Sequence, residues 1–304
     1  MAYGFVPSHP STRFTDTGAW VKALNGFLSQ QRQEWTQQPH WQPDASGGYA
    51  DAYKYGKRGG DGLMDYVVPN CLPSVVLGRH LDGKGMPKPL PADVEAQLAA
   101  CGIRRVVIGH TPHGNCPTLI KSATGGPSAV DVLMADTSYS NMKAADNRGD
   151  AVAEVAVLRD GSTHVHGVLE DGTTRIDFSL PPTAAAASAA AVSAGGGGGA
   201  VAPSRLVGRL TSADGSSDGK IYFVKAFTTG KRYLLCNVDG FKVSYLSLSP
   251  AECLEMLGFT PVAPSLTSDA PLPLPAESAA RSMPLAVLVA GGVLGGLAAI
   301  ALRR

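Results

Sequence analysis

The chain has 304 residues, 26 lysines and arginines against 25 aspartates and glutamates, and a 44% hydrophobic composition. That is enough apolar material for a core, which excludes a wholly disordered chain, and a formal charge of +1 excludes a global attraction to nucleic acid. Five cysteines, at 71, 101, 116, 236 and 253, include no Cys-x-x-Cys pair, which argues against a zinc ribbon or a disulfide framework and fits a reducing compartment.

The N-terminal stretch MAYGFVPSHPSTRF lacks the basic-then-apolar pattern of a secretory signal. Asp16 or Thr17 is expected to cap a helix reaching Trp35, with Trp20, Leu24, Phe27, Leu28 and Trp35 recurring at helical spacing as core positions. Residues 36–70, rich in Gly, Pro, Asp and Tyr, read as long loops. A short strand at Ser74–Leu77 is followed by a connection to a helix from about Pro91 to Cys101, with Gly102 suited to its end. The β-branched run in IRRVVIGH leads into a loop at His110, and AVDVLMAD is a second apolar run ending at Asp136. AVAEVAVLRDGSTHVHGVLEDGTTRIDFSL then predicts a three-stranded meander turning at Asp160-Gly161 and Asp171-Gly172.

From Pro181 to Ser204 the alanines and five consecutive glycines offer nothing to bury and predict a linker. Beyond it, strands are expected at Ile221–Phe227, Arg232–Cys236 and Phe241–Leu246, and a short helix capped by Ser249 before Pro250 and Glu252. This unit either stands alone or extends the sheet of the first domain; Lys225, Lys231 and Arg232 read as a solvated face, or else as contacts for an anionic partner. Pro261 to Pro275 reads as a stalk. Met283 to Leu302 carries 20 residues without a charge between Arg281 and Arg303-Arg304, which predicts a membrane span against the alternatives of a buried helix or a disordered tail. Its Gly291/Gly295 and Gly292/Gly296 steps would suit a helix–helix dimer.

Of seven histidines, His110 and His113 stand three apart in a loop stiffened by Pro112, where both imidazoles could face one cavity and bind a borderline metal. His80 could supply a third imidazole, and His164 and His166, on one face of a strand, a ligand pair; the plainer expectation is a strand-end histidine near the surface and two exposed polar positions.

VVIGHTPHG followed by MADTSYS resembles the last part of a calcineurin-like metallophosphoesterase domain. With NRGDAVAEV and DGSTHVHG the chain is most similar to the Shewanella-like phosphatase branch, over about residues 15–180. The resemblance implies two divalent ions of Mn, Fe or Zn type and a metal-bound hydroxide attacking a phosphoester. On it, His110 matches a ligand of the second metal, His113 completes the first, and Asp136 lies beside the site supporting the loop. The family's earlier motifs, Gly-Asp-x-His, Gly-Asp-x-x-Asp-Arg-Gly and Gly-Asn-His, are absent; GGDGLMDY, with Asp61 and Asp65, and GNCP do not replace them.

The expected fold class is therefore α/β: a partial metallophosphoesterase-type β-sandwich flanked by helices over residues 1–180, a linker over 181–204, a small β-rich unit over 205–260, a Pro-rich stalk over 261–282 and one transmembrane helix over 283–302. The expected function is a membrane-anchored phosphoesterase acting on a phosphoprotein or small phosphoester, its soluble part facing the cytosol, in a chain that lacks the N-terminal metal-binding motifs and is inactive alone. The alternative is a non-catalytic, membrane-tethered binding or scaffold module derived from a phosphatase domain.

Overall fold

The computed structural model describes residues 3–42, 58–68, 71–76, 78–125, 128–137, 151–182, 205–240, 242–259 and 289–290. Asp16, in an extended conformation, accepts the Ala19 amide at 2.6 Å and starts α1 (Thr17–Gln37). Trp20 and Phe27 are buried on its inner face, whereas Trp35, expected in the core, is 47% exposed because it falls in the last, projecting turn. Inside the predicted loop region lies α2 (Asp61–Val67), whose Tyr66 packs edge-on against Phe27 at 6.3 Å between ring centroids. Segment 74–76 forms no strand. α3 (Ala92–Ala100) ends at Gly102, whose φ of +78° closes the helix.

The strands follow as β1 (Arg105–Ile108), β2 (Thr118–Ile120), β3 (Asp131–Met134), β4 (Val152–Val157), β5 (Thr163–Val168), β6 (Arg175–Leu180), β7 (Phe223–Phe227), β8 (Tyr233–Asp239) and β9 (Lys242–Leu248). Helix α4 (Pro250–Met256) begins with a complete capping box between Ser249 and Glu252, and β10 is the pair Val289–Ala290. One mixed sheet runs β10-β1-β3-β2, parallel except for β2. Val106, Ile108, Ile120, Val132 and Met134 pack on the helices with Trp20 and Leu98, while Leu119, Leu133 and Val107 face a second β layer. That layer contains the meanders β4-β5-β6 and β7-β8-β9. A bridge between Ile176 and Thr228, and the Thr229 amide on the Arg175 carbonyl at 2.9 Å, join β6 to β7. The C-terminal strands thus continue the meander and share its core through Ile176, Phe178, Val224 and Leu235.

Among the described residues, four α-helices with mixed, non-barrel sheets correct the expected fold class, a partial metallophosphoesterase sandwich with a C-terminal transmembrane helix. Alternating patterns specify which face of each strand is buried, not which strands become neighbours. Among the described residues no helix is long and apolar enough to cross a membrane. Within 283–302 only Val289 and Ala290 are described, and they pair laterally with Val107 and Ile108. A residue paired across a sheet does not satisfy its backbone four residues away within a helix. The membrane anchor, the cytosol-facing topology and the helix-mediated dimer are corrected with it. Gly291, Gly292, Gly295 and Gly296 lie outside the described residues, as do the linker over 183–204 and the stalk.

Candidate functional site

β1 delivers the chain through Gly109 to His110, which turns in the left-handed region with φ of 57° and leaves its side chain exposed. After Thr111 and Pro112 the chain re-enters the protein, and His113 is buried at 1% exposure. The two histidines therefore diverge, one toward solvent and one into the interface between the β layers. Asp136 emerges at the same end of the sheet as His110, because β1 and β3 are parallel with Ile108 opposite Met134, and the Ala135 amide donates to the Ile108 carbonyl at 2.9 Å. Open α/β sheets present ligands at this carboxyl end.

His113 is held by its surroundings. Its Nδ1 lies 3.2 Å from the Thr118 hydroxyl and 3.4 Å from the Lys225 ammonium, and its ring stands edge-on to Phe223. With an ammonium facing Nδ1, that nitrogen is the acceptor and the ring proton is assigned to Nε2. Nε2 is buried with no hydrogen-bond partner among the described residues. Burial, reinforced by the charge of Lys225, pushes the His113 pKa down to about 2.

Lys225 is the residue that sequence reasoning missed. It is fully buried, and its ammonium donates to the His113 carbonyl, to the Cys116 carbonyl at 2.6 Å and to the Thr118 hydroxyl. Along β7 the pairing to β8 slips between Val224 and Ala226, making Lys225 the extra residue of a bulge. Bulges re-aim side chains, and this one turns inward a lysine that simple alternation leaves ambiguous. The only sequence signal is its setting, a lone cation within YFVKAF. Lys231 and Arg232, grouped with it by sequence, are indeed exposed; Arg232 Nε donates to the Ser247 hydroxyl at 3.0 Å.

A small cavity of about 20 Å³ adjoins the loop, lined by Tyr3, Val75, Val76, His80, Ile108 and Gly109. It has room for a single water. His80, expected near the surface, is buried, its Nδ1 has no partner among the described residues, and burial lowers its pKa to about 4. On β5, His166 pairs with Glu154 across the strands at 3.1 Å and His164 meets the Ser179 hydroxyl at 2.9 Å. Asp61 accepts the Arg58 amide at 3.1 Å at the start of α2.

The expected function, a membrane-anchored metallophosphoesterase, is corrected here. Among the described residues no group of three or more His, Cys, Asp or Glu side chains could hold a metal ion. Neutral imidazoles alone do not offset the charge of two divalent ions, and the loop brings no carboxylates to His113. No protein-family model, curated protein or solved structure matches the chain.

Proposed function

We propose that the chain is a non-hydrolytic ligand-binding module, akin to the closing part of a calcineurin-like metallophosphoesterase domain, in which the histidine loop is a rigid platform. The observation that carries this reading is the Lys225 ammonium lodged against the loop. A divalent ion on His113 would sit roughly 6–7 Å from that fixed charge, a repulsion of about 5 kcal/mol at an effective dielectric near 20. Kinship rests on the Gly-His-x-x-His loop following β1. The recognition edge is the carboxyl end of β1 and β3, where His110 presents an imidazole to solvent and Asp136 emerges on the neighbouring strand.

Calorimetric titration of the full chain with Mn²⁺ and Zn²⁺ tests the platform role. The expected result is no stoichiometric binding that depends on His113; micromolar binding abolished by His113→Gln overturns the proposal. NMR screening with small polar fragments supplies the positive arm, in which bound fragments shift the His110 ring and lose affinity in His110→Ala. Fragments that leave His110 untouched would remove the recognition edge from the reading.

A further inference from the structure

The end of the mixed sheet opposite His110 carries a different chemistry. Lys121 directly follows β2, and because β2 runs antiparallel to β3 with Ile120 opposite Val132, it emerges where β1 and β3 begin. Its ammonium donates to the Arg205 carbonyl at 3.0 Å, and Nε of Arg209 donates to the same oxygen at 3.3 Å. The two cationic nitrogens therefore lie within about 6 Å of each other, gathered on one neutral acceptor.

Packing holds them there. Gly208 lets the Lys121 stem lie against the turn, since a Cβ at that glycine would come within 2.9 Å of the lysine Cγ. The Arg209 guanidinium rests 5.5 Å from the centroid of the Phe259 ring. Lys121 is half-buried, and burial pushes its pKa down; Asp131 pulls the other way, while Arg209, Arg205 and Arg105 add to the fall. Asp131 also answers the charge of Arg105, and among the described residues no carboxylate forms an ion pair with Arg205 or Arg209. Both arginines are exposed at the surface. A carbonyl carries only a partial negative charge, so these cations are held together against a repulsion that a fully charged oxyanion would relieve. Guanidinium forks match the oxygens of a phosphate in particular, and the lysine adds a point charge.

We propose that Lys121, Arg205 and Arg209 form a docking site for a phosphate group of a ligand, at the end of the mixed sheet opposite His110. The site stands on this cation cluster and is independent of what the His110 edge binds.

Calorimetric titration of the full chain with inorganic pyrophosphate tests it, alongside sedimentation with phosphatidylcholine vesicles carrying about 10% of a phosphoinositide. The expected result is binding of one or both probes that Arg205→Gln and Arg209→Gln each weaken about 10-fold, the loss of one hydrogen bond to a charged group. Arg232→Gln, which removes an exposed cation on β8's approach, should leave the affinity unchanged. Pyrophosphate binding assigns the phosphate to a soluble ligand, and binding of vesicles alone assigns it to a lipid headgroup. Failure of both probes to bind overturns the proposal. So does binding that Arg232→Gln weakens as much as Arg209→Gln, because the attraction would then be that of general surface charge. Should Arg209→Gln lower the urea midpoint, Arg205→Gln decides alone, and an affinity it leaves unchanged overturns the site.

Discussion

Replacing Lys225 with methionine keeps most of the side-chain volume and removes the ammonium that joins β7 to the histidine loop. Three acceptors lose their donor: the His113 and Cys116 carbonyls and the Thr118 hydroxyl. The Thr118 hydroxyl still donates to the His113 carbonyl at 3.3 Å, so the Cys116 carbonyl is the group left without a donor from this contact. An acceptor left dry costs about 1–3 kcal/mol, and each lost bond to a charged donor about 1.5–3. Relief from burying an ammonium offsets part of this, so the expected net loss is about 3 kcal/mol. Against a total stability of roughly 5–15 kcal/mol that is a large shift. Urea unfolding of the full chain, followed by tryptophan fluorescence, measures it. NMR adds a second readout: the His113 pKa should rise in Lys225→Met yet stay below its ordinary value, because burial, the larger cause, remains. A stability change below about 0.5 kcal/mol, with an unmoved His113, would refute the clamp.

The pH dependence of stability follows from His113 and His80, held down to about 2 and about 4 from an ordinary 6.5. Below pH 6.5 the unfolded chain binds protons that the folded chain refuses, so each histidine lowers stability by about 1.4 kcal/mol per pH unit, roughly 2 kcal/mol at pH 5. Urea midpoints between pH 5 and 8 should show this slope, and His113→Gln should flatten it; an identical slope in the variant would exclude His113 as a source. Gly208 has φ of +88°, and a Cβ there would lie 2.8 Å from the Leu119 carbonyl oxygen. Gly208→Ala should therefore lower stability by about 1–3 kcal/mol in the same assay, and a neutral substitution would contradict the close approach to β2. Ser249→Ala removes the capping box of α4 and should cost about 1 kcal/mol, whereas Ser249→Asp should retain most of that stability.

Local patterns in the sequence determined much of the secondary structure. Asp16 and Ser249 mark helix starts because their side chains can accept amide protons of the first turn, and Asp160-Gly161 and Asp171-Gly172 mark hairpins because those glycines accept positive φ, 82° and 67°. The periodic segments 16–35 and 91–101 also predicted α1 and α3 to within about two residues. What only the tertiary structure decided is where those pieces meet. The spacing of His110 and His113 suggested one shared site, yet the left-handed turn at His110 sends one ring to solvent and the other inward. Lys225 read as a surface cation because alternation says nothing about a bulge, and the bulge exists only through pairing with β8. The uncharged run near the C-terminus read as a membrane helix because hydrophobicity measures the wish to leave water and not the partner that takes it out. In the fold, Val289 and Ala290 pair along the edge of a strand some 180 residues earlier, a pairing that no local pattern encodes.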